Sequence, residues 1–357
     1  TGTYGVAQRG EPGYKSYVSL GASQTNGYAL RGYVQGDMDK AALDQSIKDS
    51  ANVLGYLSET PGSYPVLIAD HFRYDLEQLA ISSMRVEELR VLLDNNYYGD
   101  SYTGWRFIKP DGTGWFNIAH PAGVDGLRQQ YQEYVANADL ITVDIGANNF
   151  GVYISYQLGS NFGLDKDIAA LDPARASDWA KAKAFVADAM VKVAPDMASS
   201  MSQVDGLLDT FAYALVGYCV NFDAVMERIY TLNPDAQVVV ISIQNMMDGL
   251  YARIPGVDVT LPLGEVFAAV VNAANVYIAT SSPYADKYMF ADVREDGRVE
   301  SFIDTIVAYD GNPHSLDQNT IDCFNVYDGN PGVSYNNGVH IKWQVHQYLE
   351  ANWASIA

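Results

Sequence analysis

Short apolar segments alternate with longer segments of helical periodicity along most of this chain. The two clearest apolar segments, 140–145 and 237–243, are rich in Val and Ile. Strands of this composition are buried on both faces, as in parallel sheets that are covered by helices on both sides. The alternation therefore predicts an α/β fold class: a three-layer α/β/α sandwich with a mainly parallel, flavodoxin-like sheet of about five strands.

The remaining segments extend this pattern over the 357 residues of the chain. Further strands are predicted at 17–20, 79–81 and 288–293. Helices are predicted at 38–57, 64–72, 86–93, 124–137, 204–230, 265–280 and 342–355. Insertions are predicted near 95–122, 150–202 and 245–263, the first as a long loop and the second as a partly helical cap. The prediction is a single domain over residues 1–357 with these insertions.

Acidic side chains outnumber basic ones by 43 to 22, so the formal net charge is -21. An acidic surface repels nucleic acid and anionic membranes, and neither is expected as a partner. No apolar run approaches the roughly 20 residues that a membrane-spanning helix needs. Residues 1–4 have neither basic nor apolar leader character. We expect the mature form of a secreted or cell-surface protein of bacterial type, with a cytoplasmic location as the alternative; the oligomeric state stays open.

The cysteine and histidine content does not indicate a metal site or a redox motif. Cys219 and Cys323 are too few and too far apart in sequence for either, and they form one disulfide or, more simply, two buried thiols. The five histidines include no His-x-x-x-His pair, so no metal or other cofactor is expected. Tyr-Asp-Gly-Asn-Pro occurs at 309–313 and 327–331, where two surface turns are favoured over a calcium site.

Polar side chains with catalytic chemistry follow several of the predicted strands. Ser23 follows the first strand in a Gly-Ala-Ser turn, Ser83 follows the second strand, and Asn148 follows the third. His340 precedes the closing helix. Because the carboxyl ends of parallel strands meet at one edge of a sheet, we expect these groups to converge. A hydroxyl, an imidazole and amide donors can together carry out acyl transfer.

The segments that carry these side chains resemble the signature blocks of the SGNH (GDSL-type) hydrolase family, in the family's order. They read Ser-Leu-Gly-Ala-Ser at 19–23, Leu-Ala-Ile-Ser-Ser at 79–83, Gly-Ala-Asn-Asn at 146–149 and Asn-Gly-Val-His at 337–340. The resemblance implies that Ser23 is the nucleophile and His340 the general base, with Asn337 orienting the imidazole. It also implies an oxyanion hole formed by the backbone N–H groups of Ser23 and Ser83 and by the side chain of Asn148.

The chain departs from the family pattern within these blocks. Ala22 stands where the family has aspartate, Ser83 replaces the oxyanion-hole glycine, and Asn149 replaces the second aspartate of its block. Asn337 replaces the acid of the triad. An amide oxygen can orient a histidine but does not stabilise the imidazolium by charge. In serine proteases this exchange lowers turnover about ten-thousandfold because it selects the wrong tautomer. The N–H of Ser83 can donate only if a residue with a Cβ tolerates the local geometry.

Two functions are compatible with this pattern. The first is serine-dependent hydrolysis of a small-molecule carboxylic ester (lipid, aryl or acyl-carbohydrate) through an acyl-enzyme, with Ser23 and His340 acting as a dyad. The alternative is a catalytically weakened or inactive SGNH-like protein that binds a glycan or a lipid. A nucleotide-binding regulator is disfavoured because the chain has no Gly-rich phosphate loop.

Two further predictions concern packing. Asp144 lies near the end of the third strand, where its charge needs a partner, and Arg85 is one candidate. Large aromatic side chains in the 95–122 segment form either the lining of an acyl or sugar pocket or, more commonly, a small satellite core. They are Trp105, Phe107, Trp115 and Phe116.

Overall fold

The computed structural model describes residues 14–27, 57, 59, 63–151, 176–245, 252–253 and 259–292. Its strands are β1 (Lys15–Gly21), β2 (Tyr74–Gln78), β3 (Leu140–Asp144), β4 (Gln237–Ile241), β5 (Ala252–Arg253), β6 (Thr260–Leu261) and β7 (Met289–Ala291). Five of them form a sheet in the order β2-β1-β3-β4-β7, in which every neighbouring pair is parallel. Strands β5 and β6 form a separate antiparallel pair. The predicted flavodoxin-like sheet is therefore confirmed.

The helices lie close to their predicted positions. They are α1 (Tyr64–Phe72), α2 (Val86–Leu93), α3 (Ser101–Arg106), α4 (Trp115–Ala119), α5 (Gly123–Asn137), α6 (Ala176–Val193), α7 (Asp205–Leu232) and α8 (Leu263–Thr280). Helices α1 and α2 have the predicted bounds, and α5, α7 and α8 differ from theirs by one or two residues at an end. The helix predicted at 342–355, and residues 38–56 of the one predicted at 38–57, lie outside the described residues.

Alternate side chains of each strand point to opposite faces of the sheet. Apolar side chains lie on both faces, and helices cover each of them. On one face, Val18 and Ile141 belong to a large core that includes residues of α2, α5, α7 and α8. On the other face, Tyr17 and Val239 pack with Ile68 of α1. The predicted three-layer α/β/α architecture is therefore confirmed.

The strand predicted at 79–81 is wrong, since β2 ends just before this segment. Strand β2 lies at the edge of the sheet, and its residues alternate between buried and half-buried, so it has no continuous apolar run. The run at 79–81 is apolar because its side chains are fully buried. Its backbone still follows β1: the N–H groups of Leu79 and Ile81 donate to the carbonyls of Ser19 (3.0 Å) and Gly21 (3.3 Å).

The segment 95–122, predicted as a long loop, contains the short helices α3 and α4. Asp100 caps α3, where its side chain accepts from the N–H of Thr103 at 3.0 Å. Helices of six and five residues are too short to produce a visible helical period in the sequence. Phe107 and Phe116 are fully buried in the large core with ring centroids 5.1 Å apart, so these two side chains pack rather than line a pocket.

The other two predicted insertions contain regular structure where they are described. Helix α6 is followed by the 3-10 helix Pro195–Gln203, and the β5–β6 pair lies within 245–263. Within the described ranges, α8 is the one helix long and apolar enough to cross a membrane by length and composition. Half of that stretch is buried, and α8 contributes to the large core, as the core helix of a globular protein does. The assignment of residues 1–357 to one domain stays a prediction.

Candidate active site

The turn that carries Ser23 follows β1 directly, and it leaves no space for a side chain at Gly21. A Cβ on Gly21 would lie 2.0 Å from Thr25 Oγ1 and 2.6 Å from the backbone oxygen of Asp144. The chain then turns at once, over residues 22–27, and Ser23 is half-buried within that turn. The Gly-Ala-Ser segment thus puts the serine at the carboxyl end of an interior strand of the sheet.

Ser83 adopts a backbone conformation that favours glycine, with φ at +65°. The chain makes a tight turn around it, in which the N–H of Met84 donates to the carbonyl of Ile81 at 3.2 Å. A residue with a Cβ in this left-handed region costs about 1–2 kcal/mol. The serine therefore adopts a backbone conformation that glycine adopts at lower cost.

Asn148 lies in a helical turn that begins at residue 147, just after β3. The turn is preceded by Gly146, whose φ of +134° and tight surroundings exclude other residues: a Cβ would lie 2.7 Å from both Ile243 Cδ1 and Tyr218 Cε2. Asn148 Nδ2 donates to the carbonyl of Met84 at 2.9 Å. An amide nitrogen carries two N–H bonds, so this contact leaves the second one for another acceptor.

Side-chain hydrogen bonds join these turns at one edge of the sheet. Asn26 Nδ2 donates to Ser82 Oγ at 3.0 Å, which links the turn after β1 to the turn after β2. The Asn148 contact with Met84 links the turn after β2 to the segment after β3. Strands β1 and β3 are neighbours in the sheet, and the strands that follow them in the chain, β2 and β4, lie on opposite sides of this pair. Ligands of open α/β sheets bind in the crevice at such a point.

The structure thus brings together the turns that carry three predicted site residues, Ser23, Ser83 and Asn148. The other two, His340 and Asn337, lie outside the described residues. So do Cys323 and both Tyr-Asp-Gly-Asn-Pro motifs. Among the residues that the structure describes, no group of three or more His, Cys, Asp or Glu side chains is arranged to hold a metal ion.

Asp144 is hydrogen-bonded to the hydroxyl of Thr25 and is not paired with Arg85, so that predicted pair is wrong. Thr25 Oγ1 donates to Asp144 Oδ2 at 3.1 Å and lies 3.2 Å from the hydroxyl oxygen of Tyr64. Loss of hydration raises the pKa of Asp144 to about 7, and the bond from Thr25 opposes this shift. Burial and the nearby Asp144 charge raise the pKa of Tyr64. A carboxyl group with a pKa of about 7 therefore lies beside the turn that carries the candidate nucleophile.

Arg85 belongs instead to a buried polar cluster at the start of α2. Its guanidinium donates to Glu88 Oε1 at 2.6 Å and to Asp100 Oδ1 at 2.7 Å. The guanidinium carbon lies 4.3 Å from the ring centroid of Tyr102. Thr103 Oγ1 donates to Glu88 Oε1 at 2.6 Å. Buried ion pairs are tolerated when further hydrogen bonds satisfy their polar atoms, and this cluster meets that condition.

Asn149 and Glu87 form a second buried polar pair beside this cluster. Asn149 Oδ1 accepts the backbone N–H of Val86 at 2.9 Å, and Nδ2 donates to Glu87 Oε2 at 2.6 Å. Burial raises the pKa of Glu87 to about 7, although Arg85 opposes the shift. The sequence did not point to this pair, because its members lie 62 residues apart. The one available signal was Asn149 itself, an amide at a position where the sequence resemblance implies aspartate.

No family model matches the sequence, and no curated protein matches it. An extracellular lipase from Streptomyces rimosus is 18% identical, with 80% of this chain and 84% of that chain covered at a TM-score of 0.39. A phospholipase A1 from Streptomyces albidoflavus is 16% identical over 78% of this chain and 80% of that chain, at a TM-score of 0.37. A lipase from a goat rumen metagenome is 11% identical, with 93% and 96% covered at a TM-score of 0.40. Similarity at this level decides neither family nor activity.

Proposed function

We propose that this protein is a serine-dependent hydrolase of carboxylic esters that acts through an acyl-enzyme. The observation that supports the proposal is the junction at the β1–β3 crevice, where the turn of a serine meets a left-handed backbone turn and the segment of a side-chain amide. The resemblance to SGNH hydrolases supports the same assignment. The proposed substrates are lipid, aryl or acyl-carbohydrate esters. A secreted or cell-surface location is part of the proposal.

In the proposed reaction, Ser23 Oγ attacks the carbonyl carbon of the ester. His340 accepts the hydroxyl proton and then gives it to the leaving alcohol, which breaks the ester bond and leaves an acyl group on Ser23. Water attacks the acyl carbon in the second half, with His340 again accepting the proton and returning it to Ser23. The products are a carboxylic acid and an alcohol, and the enzyme is restored.

The oxyanion of each tetrahedral intermediate needs donors that are already in position. We assign this role to the backbone N–H groups of Ser23 and Ser83 and to the second N–H of Asn148 Nδ2. The left-handed turn at Ser83 and the bond from Asn148 to Met84 support the assignment, because both hold their groups without help from substrate. Removing one such donor in other enzymes lowers kcat about a hundredfold to a thousandfold.

Asn337 is proposed to orient His340 through its amide oxygen. The amide oxygen accepts the Nδ1–H of the imidazole but places no negative charge beside the imidazolium, and in serine proteases the same exchange selects the wrong tautomer. Slow turnover compared with an aspartate-containing triad is expected for this reason.

The test is the replacement of Ser23 by alanine. We expect Ser23→Ala to lower kcat for p-nitrophenyl esters at least about a thousandfold and to abolish labelling by a fluorophosphonate probe, because the nucleophile is gone. Ser199→Ala is the matched control, since Ser199 is exposed on the 3-10 helix. Thermal unfolding of both variants checks that they fold like the wild-type chain.

A wild-type chain that neither labels at Ser23 nor turns over any ester above the Ser23→Ala background would contradict the proposal. The alternative, an inactive SGNH-like protein that binds a glycan or a lipid, would then be favoured. The absence of aspartate at Ala22 and Asn337 is the observation behind that alternative. Calorimetric titration with acetylated oligosaccharides and with lipid esters would measure such binding directly.

A further inference from the structure

Two neighbouring amide side chains, in the segment that follows β3, hold the residues after Ser83 in place. Asn149 Oδ1 accepts the N–H of Val86, the first residue of α2. This N–H is one of those that a helix leaves without an internal partner at its start. Asn148 Nδ2 donates to the carbonyl of Met84. Together the amides fix the backbone immediately after the left-handed turn at Ser83.

The orientation of the Asn149 amide depends on Glu87. An amide has an acceptor and a donor at its two ends, so turning Oδ1 toward Val86 leaves Nδ2 in need of an acceptor. Glu87 supplies one at 2.6 Å, and both side chains are buried. An ionised carboxylate only accepts hydrogen bonds, and such charge-assisted bonds are roughly twice as strong as neutral ones. Glu87 therefore selects the orientation that caps α2.

An aspartate at position 149, as in the SGNH family, is incompatible with an ionised Glu87. It would place two carboxyl groups at the 2.6 Å contact that now joins Asn149 to Glu87. Two carboxylates at such a distance cannot both ionise, and one pKa rises strongly. Asn149 avoids this repulsion while still presenting an acceptor to Val86. In this contact Glu87 of α2 thus supplies the carboxylate, and Asn149, after β3, supplies the amide.

We propose that Glu87 is a positioning residue for the oxyanion hole: it orients Asn149, which fixes the start of α2 and thereby the N–H of Ser83. The inference rests on the proposed esterase function. It requires that Glu87 and Asn149 act as a matched donor–acceptor pair. Exchanging the carboxylate and the amide between the two positions should then preserve the pair, whereas changing position 149 alone should not.

Charged groups around Glu87 make the contact sensitive to pH. The titratable and charged neighbours are Arg85, Glu88, Arg90, Tyr97 and Asp100. Arg85 Nε lies 3.9 Å from Glu87 Oε2 and opposes the upward shift of the pKa that burial causes. Helix α7 faces Glu87 with a neutral group, the amide of Asn221, whose Nδ2 lies 3.4 Å from Glu87 Oε1. A second carboxylate, at position 149, would raise the pKa of Glu87 further, as the carboxylates of Glu88 and Asp100 already do.

The experiment compares Asn149→Asp, Glu87→Gln and the double variant in ester hydrolysis at pH 8. We expect Asn149→Asp to lower kcat about tenfold or more with KM changed less than about threefold, because oxyanion donors act mainly in the transition state. Glu87→Gln should lose less, since glutamine still offers a carbonyl oxygen. In the double variant, the glutamine amide introduced at position 87 donates to the aspartate, and kcat should return to within about threefold of wild type.

The ratio of kcat in Asn149→Asp to kcat in wild type provides a second readout. We expect this ratio to rise as the pH falls from 8 to 6, because a shared proton removes the repulsion between the carboxyl groups. The ratio removes the part of the pH profile that the two proteins share. It should be flat with pH in the double variant. Asn137→Asp, on the exposed end of α5, is the matched control and should keep a flat ratio near one.

Two results would overturn the inference: wild-type kcat in Asn149→Asp, or a double variant that folds but is no faster than Asn149→Asp. Rates are divided by the fraction of sites that a phosphonate titrates, so loss of folded protein does not imitate loss of kcat. If Asn149→Asp does not fold, the double variant decides, since it should recover both folding and kcat. A wild-type chain without ester turnover would instead remove the proposed function, and this inference with it.

Discussion

Ser83 occupies a left-handed conformation with φ at +65°, which its Cβ makes unfavourable by about 1–2 kcal/mol. Glycine removes this cost but adds about 0.5–1 kcal/mol of backbone entropy in the unfolded chain. We therefore expect Ser83→Gly to raise the free energy of unfolding by up to about 1 kcal/mol. Because the backbone N–H is retained, kcat should stay within about twofold of wild type. Thermal unfolding and steady-state ester hydrolysis measure the two effects.

The control for this prediction is Ser199→Gly, at an exposed position where no positive φ favours glycine. This variant should be neutral or slightly destabilised. Ser83→Val is the opposite test, since a β-branched residue fits the left-handed region poorly and should lower both stability and kcat. A destabilised Ser83→Gly together with an unaffected Ser83→Val would show that the turn is not strained in this way.

Residue positions were predicted better than residue partners. The Gly-Ala-Ser and Gly-Ala-Asn segments located Ser23 and Asn148, because glycine before each turn is a local requirement that the sequence displays. The partner of Asp144 was predicted incorrectly. Its contact with Thr25 joins residues 119 apart in the chain, and no local spacing indicates such a contact.

At the scale of elements, segments that are long or buried on both faces were predicted well. Strands β3 and β4 and the helices α2 and α7 have strong apolar patterns that match their positions in the core. Strand β2 was missed because an edge strand buries only alternate side chains, whereas the buried segment 79–81 imitates an interior strand. Helices α3 and α4 were missed because fewer than two helical turns leave no period to detect.

Gly146 shapes the connection between β3 and the turn of Asn148, and it allows a prediction for this element. Its φ of +134° is accessible almost only to glycine, and an added Cβ would lie 2.7 Å from Ile243 and Tyr218. We expect Gly146→Ala to lower the free energy of unfolding by about 2–5 kcal/mol, from backbone strain and overpacking. The folded fraction should also have a lower kcat, because Asn148 follows two residues later. Chemical denaturation and site titration measure these quantities.

Gly104 offers the matched control for Gly146, since an added Cβ there meets no atom within 4 Å. Gly104 lies inside α3, so alanine should be neutral or stabilising by up to about 1 kcal/mol. Equal effects of Gly146→Ala and Gly104→Ala would mean that the turn before Asn148 tolerates a side chain, contrary to its geometry.

At the scale of the molecule, the sheet order explains why distant segments meet. The order β2-β1-β3-β4-β7 makes β1 and β3 neighbours although more than a hundred residues separate them in the chain. Ser23 and Asn148 follow these two strands. Alternation of apolar and helical segments was enough to predict a parallel sheet between two layers of helices, and it does not by itself fix the strand order. His340 lies outside the described residues, and its proposed role as general base rests on the family resemblance.

Among the residues that the structure describes, burial raises the pKa of two carboxyl groups, and these groups make the stability depend on pH. The pKa of Asp144 rises from 3.8 to about 7, and that of Glu87 rises from 4.5 to about 7. Between these limits the folded chain binds more protons than the unfolded chain, so the free energy of unfolding falls as the pH rises. We expect a loss on the order of 1–4 kcal/mol per group between pH 4 and pH 8, at about 1.4 kcal/mol for each tenfold change in proton affinity.

Neutral variants isolate this contribution from the rest of the acidic chain. Asp144→Asn and Glu87→Gln should each flatten the fall in Tm between pH 5 and pH 8, and each should be more stable than wild type at pH 8, because the amide removes a buried charge. Asp111→Asn is the control: Asp111 is exposed, and hydrogen bonds from Thr113 lower its pKa, so it stays ionised throughout this range. Its slope should match wild type. An unchanged slope in both Asp144→Asn and Glu87→Gln would mean that neither carboxyl group takes up a proton on folding in this range.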